Sequence, residues 1–294
     1  MTQAAGDELS AFLHAGDQAI WSAAALVLAV QGAASGEQRS AAQAVLRASG
    51  LGRVVTLGPE ESGVLAAQAA APVHQVAALL RGEGQMWAAQ SDEALLAQGR
   101  ASAQGAAAFA RFGLPSLAGL PEAFAGGARM LDVGTGVAAM AVAYAELFPR
   151  LTVVGIDVIP RVLRLAQQTV AASSVSDRVV LREQDVSSLD EPETYEFAWV
   201  PAPFIPASAL SAGVLRVVES LRPGGWLMLG HGKYGGSDVN DAVGRFKTIA
   251  YGGTALNDGE AEQMLKTAGL VDVRVVPTPQ GNPAITVGRK PAPA

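Results

Sequence analysis

With 294 residues, half of them hydrophobic and 16% charged, the chain is long enough to bury a substantial core in one large domain or two, and its composition argues against disorder outside the ends. A net charge of −6 without any run of lysine or arginine argues against sequence-independent binding to nucleic acid. The absence of cysteine excludes disulfides, thiolate metal sites and cysteine nucleophiles, and suits a cytoplasmic setting.

The opening "MTQAAGDELS" is acidic and polar, unlike a secretory signal. The most apolar early run, "AIWSAAALVLAV" from Ala19 to Val30, is too short to span a bilayer and reads as a core or dimer-interface helix. It belongs to a long helix expected over Asp7–Gln31, with Leu9, Phe12, Leu13, Ile20 and Leu28 among its apolar positions. A second helix is expected over Gln38–Ala48, closed by Ser49-Gly50. "GRVVTLGPEESGVL" then changes the pattern. Arg53 to Leu57 is β-branched, Gly58 to Gly63 has turn chemistry, and Val64-Leu65 returns as a short strand.

Helices followed by a small hairpin predict a winged-helix-like module. Three arginines and no lysine between Arg39 and Arg53 are too little charge for phosphate contacts, so the module is assigned to dimerisation and to one wall of a substrate pocket. Helix resumes through Ala110, carrying Trp87 and Phe109, and the Pro/Gly-rich "GLPSLAGLPEAFAGG" connects the two halves. The expected division is a mainly helical domain over 1–125 and a second domain over 126–294.

From Arg129 onward, strands expected at Arg129–Val133, Thr152–Asp157, Arg178–Glu183, Glu196–Val200 and Gly225–Gly230 alternate with helices that include Ala138–Phe148 and Pro160–Ala172. That alternation predicts an α/β fold with a doubly wound, Rossmann-like parallel sheet. The runs "VDVRVVPTP" and "NPAITVGRK" predict a terminal antiparallel hairpin.

The turn "LDVGTGVAAM" satisfies the glycine pattern of dinucleotide folds, and Asp157 at the end of the second strand suits a ribose diol in either a dinucleotide or S-adenosylmethionine (SAM). Asp132 discriminates between them. A dinucleotide places an anionic pyrophosphate over this turn, where a carboxylate ~4 Å away repels it by about 4 kcal/mol at an effective dielectric of ~20. SAM has no phosphate but carries a sulfonium and an ammonium, which a carboxylate attracts. Asp185, after the third strand in "VVLREQDVSSL", can accept a hydrogen bond from an adenine amino group. Aspartates that cap helices or start loops are common singly, but three at successive strand ends beside a glycine turn make an assembled site.

These stretches carry a family resemblance. "LDVGTG", "VVGIDV", "REQDVSS" and "LRPGGWLMLG" look like the ordered motifs of class I SAM-dependent methyltransferases, over roughly Ala128 to Lys290. The helical first half makes the whole similar to the two-domain small-molecule O-methyltransferases, which dimerise through winged-helix-like domains. The resemblance implies that Asp132, Gly134, Thr135 and Gly136 line the methionine end of SAM. It places Asp157 at the ribose and Asp185 with Val186 and Val158 at the adenine; Pro201, from the stretch after the fourth strand, is read separately as lying beside the methyl group. Ala138 stands where the family has a third glycine.

The family's histidine after the fourth strand is absent: "VPAPFIPAS" follows instead, with Pro201, Pro203 and Phe204 as a stiff apolar lip. Nor is this the Asn/Asp-Pro-Pro-aromatic motif of amino-group methyltransferases. His231, in "GHGKYGG" after the fifth strand, is the candidate general base, and the alternative is positioning without a base. Trp87, Phe109, Phe204 and Tyr234 are the candidate acceptor-lining residues. No metal site is expected. The leading expectation is a dimeric methyltransferase for a small, fairly apolar molecule of secondary metabolism, with no membrane partner. A SAM-binding relative repurposed for decarboxylation, hydroxylation or cyclisation, and a non-catalytic dimeric regulator, stand as alternatives.

Overall fold

The computed structural model describes residues 3–31, 35–82, 87–232, 239–278 and 284–292. The chain divides into two compact units, Met1–Arg81 and Gly82–Ala294. The change of sequence pattern near residue 125 marks where strands begin, whereas compactness divides the chain at Arg81.

The first unit holds helices α1 (Gln3–Gln31), α2 (Gly36–Ala48) and α3 (Pro59–Leu80), with α1 packed against both others. Ser35 starts α2 through a reciprocal cap, its hydroxyl accepting from Gln38 N while Gln38 Oε1 accepts from Ser35 N. The interior is built mostly from small residues, including Ala25, Ala42, Ala67, Ala70 and Ala78, with Leu46 also fully buried. Helices can approach closely there, and the large side chains are left outside.

The expected hairpin does not form. Gly52–Thr56 is a short 3-10 turn, Gly58 is the N-cap of α3, and there is no strand among the described residues before Arg129. Pro59 at the first helical position, followed by two glutamates and an alanine-rich run, is a helix start, and it outweighs the β-branched residues before it. The wing of the winged-helix reading is therefore absent from the described residues.

The length argument from Ala19–Val30 also needs correction, because α1 is continuous. By length and composition alone, Asp7–Val30 and Glu61–Leu80 are each long and apolar enough to cross a membrane, a test that core helices of soluble proteins also pass.

The second unit opens with a Trp87–Ala89 turn, α4 (Asp92–Ala108) and α5 (Leu120–Gly126). Strands β1 (Arg129–Val133), β2 (Thr152–Asp157), β3 (Val179–Glu183), β4 (Tyr195–Pro201) and β5 (Leu221–His231) are mutually parallel. β7 (Ala284–Arg289) runs antiparallel to β5, and β6 (Val271–Val276) antiparallel to β7. The spatial order is β3-β2-β1-β4-β5-β7-β6. The strand order reverses between β1 and β4, which is where open α/β sheets bind ligands, at the carboxyl ends of the strands.

Between the strands lie α6 (Ala139–Leu147), α7 (Pro160–Ala171), α8 (Ala207–Ser220), α9 (Val239–Ala250) and α10 (Asp258–Thr267). Both faces of the sheet are covered. Met130, Phe197, Trp226 and Met228 pack with Phe109, Phe124 and Tyr144 on one side. Leu131, Val154, Leu227 and Leu229 pack with Val214, Val217 and Leu265 on the other. Because side chains alternate along a strand, Asp132 points to the same face as Met130, beneath α6. α4 packs on α6, and a Cβ on Gly99 would lie 2.2 Å from Val137 Cγ2, so α4 passes directly over the glycine turn.

Candidate cofactor and acceptor site

The turn after β1 reverses tightly because Gly134 (φ 62°) and Gly136 (φ 58°) take the left-handed conformation. Ala138 takes it too, at φ 59°, which costs an L-residue about 1–2 kcal/mol. Ala138 is wholly buried, so the small side chain expected in place of a third glycine is what fits there, under strain that the sequence does not display.

Asp132 is 1% exposed. Thr135 Oγ1 donates to its Oδ2 at 2.7 Å, while Oδ1 is buried with no hydrogen-bond partner among the described residues. Burial pushes its pKa from 3.8 up to about 7, opposed by the Thr135 hydroxyl and reinforced by the charge of Asp157. Tyr144 also feels the Asp132 charge, and its buried hydroxyl likewise has no hydrogen-bond partner among the described residues. Thr135 reaches Asp132 because Gly155 on the adjacent strand leaves room: a Cβ there would sit 2.7 Å from Thr135 Oγ1. Thr135 was expected at the cofactor; its hydroxyl instead orients the carboxylate behind it.

Asp157 ties β2 to the glycine turn. Its Oδ2 accepts from Gly136 N and its Oδ1 from Ile159 N, both at 3.0 Å. Burial raises its pKa and these backbone donors lower it. Each oxygen keeps a second lone pair for a ribose hydroxyl. Val158, next in the chain, is 58% exposed, an apolar surface at the strand edge. Gln184 N donates to Asp157 O, which sets Asp185 beside this edge. Asp185 is exposed; its Oδ1 accepts from Ser187 N and Ser187 Oγ, and Oδ2 accepts nothing from the described residues. Val186 is buried against α8, where a Cβ on Gly213 would meet its Cγ1 at 2.5 Å. Pro201 ends β4 and closes over the turn, its Cγ 3.7 Å from the Cβ position of Gly134.

The structure thus brings Asp132, Gly134, Thr135, Gly136, Asp157 and Pro201 together, with Val158, Asp185 and Val186 along the same edge. Trp87 and Phe204 also meet, their rings edge-on with centroids 5.1 Å apart, and Trp87 packs against the buried cluster of Leu95, Val137 and Val162, of which Val137 belongs to the glycine turn. Phe109 does not join them. It is a core residue, stacked on Phe197 at 5.1 Å and against Tyr144 at 5.9 Å. Tyr234, with Lys233, lies outside the described residues.

His231 is not placed as a base. It is wholly buried, with Nδ1 2.9 Å from the Gly232 carbonyl and Nε2 2.8 Å from Thr286 Oγ1. A carbonyl only accepts, so Nδ1 carries the proton and Nε2 accepts from the threonine; both nitrogens are engaged. Burial lowers its pKa, against the Gly232 carbonyl and Asp258, so the ring is neutral near pH 7. Proximity of His231 to the site in sequence concealed its pairing with β7. Among the described residues no group of three or more His, Cys, Asp or Glu could hold a metal ion.

The sequence comparisons agree with this geometry. Residues 130–225, from β1 to the start of β5, match the family described as "Methyltransferase domain". The chain is 26% identical over 189 residues to a release factor glutamine methyltransferase of Koribacter versatilis, covering 55% of this chain and 58% of that protein. It therefore spans little more than half the length of that relative. Over whole chains, the fold is similar to an O-methyltransferase family protein from Burkholderia thailandensis, with 15% identity, TM-score 0.65 and coverage of 100% and 99%. It is likewise similar to human N-acetylserotonin methyltransferase in complex with SAM, with 13% identity, TM-score 0.64 and 99% of each chain covered. The matched stretch is thus a methyltransferase domain, and the whole chain has the fold of the two-domain methyltransferases it resembles in structure.

Proposed function

We propose that the protein transfers a methyl group from SAM to a small, fairly apolar molecule bound beside Trp87 and Phe204. The buried carboxylate of Asp132 supports this reading most directly. One of its oxygens, at the root of the glycine turn, has no partner among the described residues, an arrangement that repels a pyrophosphate and suits a cationic ligand. Asp157 would hold the ribose diol and Asp185 the adenine amino group. SAM supplies an already activated methyl group, so transfer is an in-line displacement to which positioning contributes much of the rate.

The chain's own contribution is then orientation and exclusion of water. Pro201 and Phe204 form a rigid lip, and α4 covers the turn from above. The engaged ring of His231 favours an acceptor that needs no histidine base, and it keeps the alternative of a SAM-dependent reaction other than methylation in view. The sequence at the end of β4 and just after it, Val200-Pro201-Ala202-Pro203-Phe204, has no amide or carboxylate ahead of its prolines, which supports a small molecule over an amide nitrogen.

Calorimetry with SAM and with NAD tests the cofactor. Mass-spectrometric detection of S-adenosylhomocysteine and of an acceptor 14 Da heavier, about one CH₂, tests the reaction. Tight NAD binding without SAM binding overturns the proposal, and cofactor turnover without a methylated product overturns methyl transfer alone.

A further inference from the structure

Trp87 carries a second aromatic neighbour that neither the motifs nor the fold assign to any role. The Tyr251 ring stacks on it, centroids 5.1 Å apart and planes inclined by 21°. The three rings come from separate segments: Trp87 from the turn before α4, Phe204 from the turn after β4, and Tyr251 from the end of α9.

The segment that carries Tyr251 is fastened to the β4 loop. Thr254 N donates to Ala202 O at 2.9 Å, and Thr254 Oγ1 donates to Ile205 O at 2.7 Å. Between them Gly253 lies so close to the Pro203 carbonyl that a Cβ would sit 1.8 Å from its oxygen. Gly252 turns the chain at φ 73°. The tyrosine is therefore set in register with Pro203 and Phe204 by backbone contacts.

The trio differs from the core aromatics. Phe109, Phe124, Tyr144 and Phe197 are buried beneath the sheet, whereas Trp87, Phe204 and Tyr251 are each only partly buried. The trio also adjoins the cofactor turn from two directions, through the cluster of Leu95, Val137 and Val162 against which Trp87 packs and through the chain from Pro201 to Phe204. A set of partly open rings at that place suits recognition of a flat ligand, because aromatic faces and edges favour another flat π-system over a saturated ring of equal size.

We propose that Tyr251 is an acceptor-binding residue, completing with Trp87 and Phe204 an aromatic wall that takes a planar, conjugated acceptor with its nucleophilic atom toward the Gly134 turn. This rests on the proposed function for its direction but not for its existence. Burial holds the Tyr251 hydroxyl up at about 12, so it remains a hydrogen-bond donor near neutral pH and can orient a polar substituent on the acceptor ring.

The test is calorimetric titration with 2-naphthol and with its saturated counterpart decahydro-2-naphthol, each with and without S-adenosylhomocysteine. The parent protein is expected to prefer the flat compound by about tenfold, the upper range of one aromatic contact. Tyr251→Leu, which keeps bulk but removes the ring, is expected to reduce the preference below about threefold, and Tyr251→Phe to retain it. S-adenosylhomocysteine affinity should be unchanged in both variants. Equal binding of the two compounds by the parent, no binding of 2-naphthol, or an undiminished preference in Tyr251→Leu overturns the proposal. Absence of S-adenosylhomocysteine binding in the parent sinks the cofactor reading instead, and the titrations without it still judge the wall.

Discussion

Thr135 and Asp132 form a buried pair in which the hydroxyl donates to Oδ2 at 2.7 Å and leaves Oδ1 without a partner among the described residues. The pair makes cofactor binding depend on pH. Asp132 titrates at about 7, facing Asp157 from β2 and the Tyr144 hydroxyl from α6. A cationic ligand favours the ionised carboxylate, so SAM affinity should rise between about pH 6 and pH 8 with release of a proton on binding. Calorimetry in buffers of different ionisation enthalpy measures that proton, and Asp132→Asn should abolish it while weakening binding. The unliganded protein runs the other way. A carboxyl whose folded pKa is raised stabilises most below its unfolded pKa, near 3.8, and that contribution is lost as pH rises through about 7. An affinity that is flat across this range contradicts the assignment.

Asp157→Ala should weaken SAM binding by about 1.5–3 kcal/mol, the range for hydrogen bonds to a charged group. It should also lower Tm, because Gly136 N and Ile159 N lose their acceptor. A folded variant that binds SAM like the parent places the ribose elsewhere.

His231→Ala should change kcat by less than about tenfold, since a general base is worth roughly 10²–10⁴-fold. Its effect should fall on stability. Removing the ring strands the Thr286 hydroxyl in the interior, a loss of about 1–3 kcal/mol. Single-turnover kinetics and thermal melts separate the two roles, and a kcat loss beyond a hundredfold with unchanged Tm restores His231 as a base.

Gly99→Ala should disturb the cofactor turn from outside it. The new Cβ meets Val137 Cγ2 at 2.2 Å, an overpacking that costs about 1–3 kcal/mol. Both Tm and SAM affinity should fall, and restoring space with Val137→Ala should recover part of each. Unchanged melting and binding would mean that α4 does not press on the turn.

The exposed side chains of α1 point to self-association. Leu9, Phe12, Leu13 and Ile20 recur at the spacing of one helix face, and Phe12 and Trp21 are 71% and 65% exposed. A homodimer that covers this surface is expected by light scattering at micromolar concentration, and Phe12→Asp with Trp21→Asp should yield a monomer. A monomeric parent that floats with lipid vesicles would assign the face to a membrane.

The sequence by itself determined the sheet, its glycine turn and its three strand-end aspartates. Strands such as Thr152–Asp157 are buried on both faces and read as continuous apolar runs, and the glycines must stand where the backbone turns left-handed. These are local signals. It misread Gly52–Leu65 because β-branched residues before a turn look alike whether a strand or a helix follows, and packing of α3 on α1 decides between them. His231, Phe109 and Tyr251 depended on contacts between distant segments. His231 is neutralised by Thr286 on β7, Phe109 is drawn under the sheet by Tyr144 and Phe197, and Tyr251 is carried to Trp87 by the fit of Gly253 on Pro203. Only the tertiary structure decided which of these side chains are available to a ligand, because availability depends on what else has already occupied their hydrogen bonds and faces.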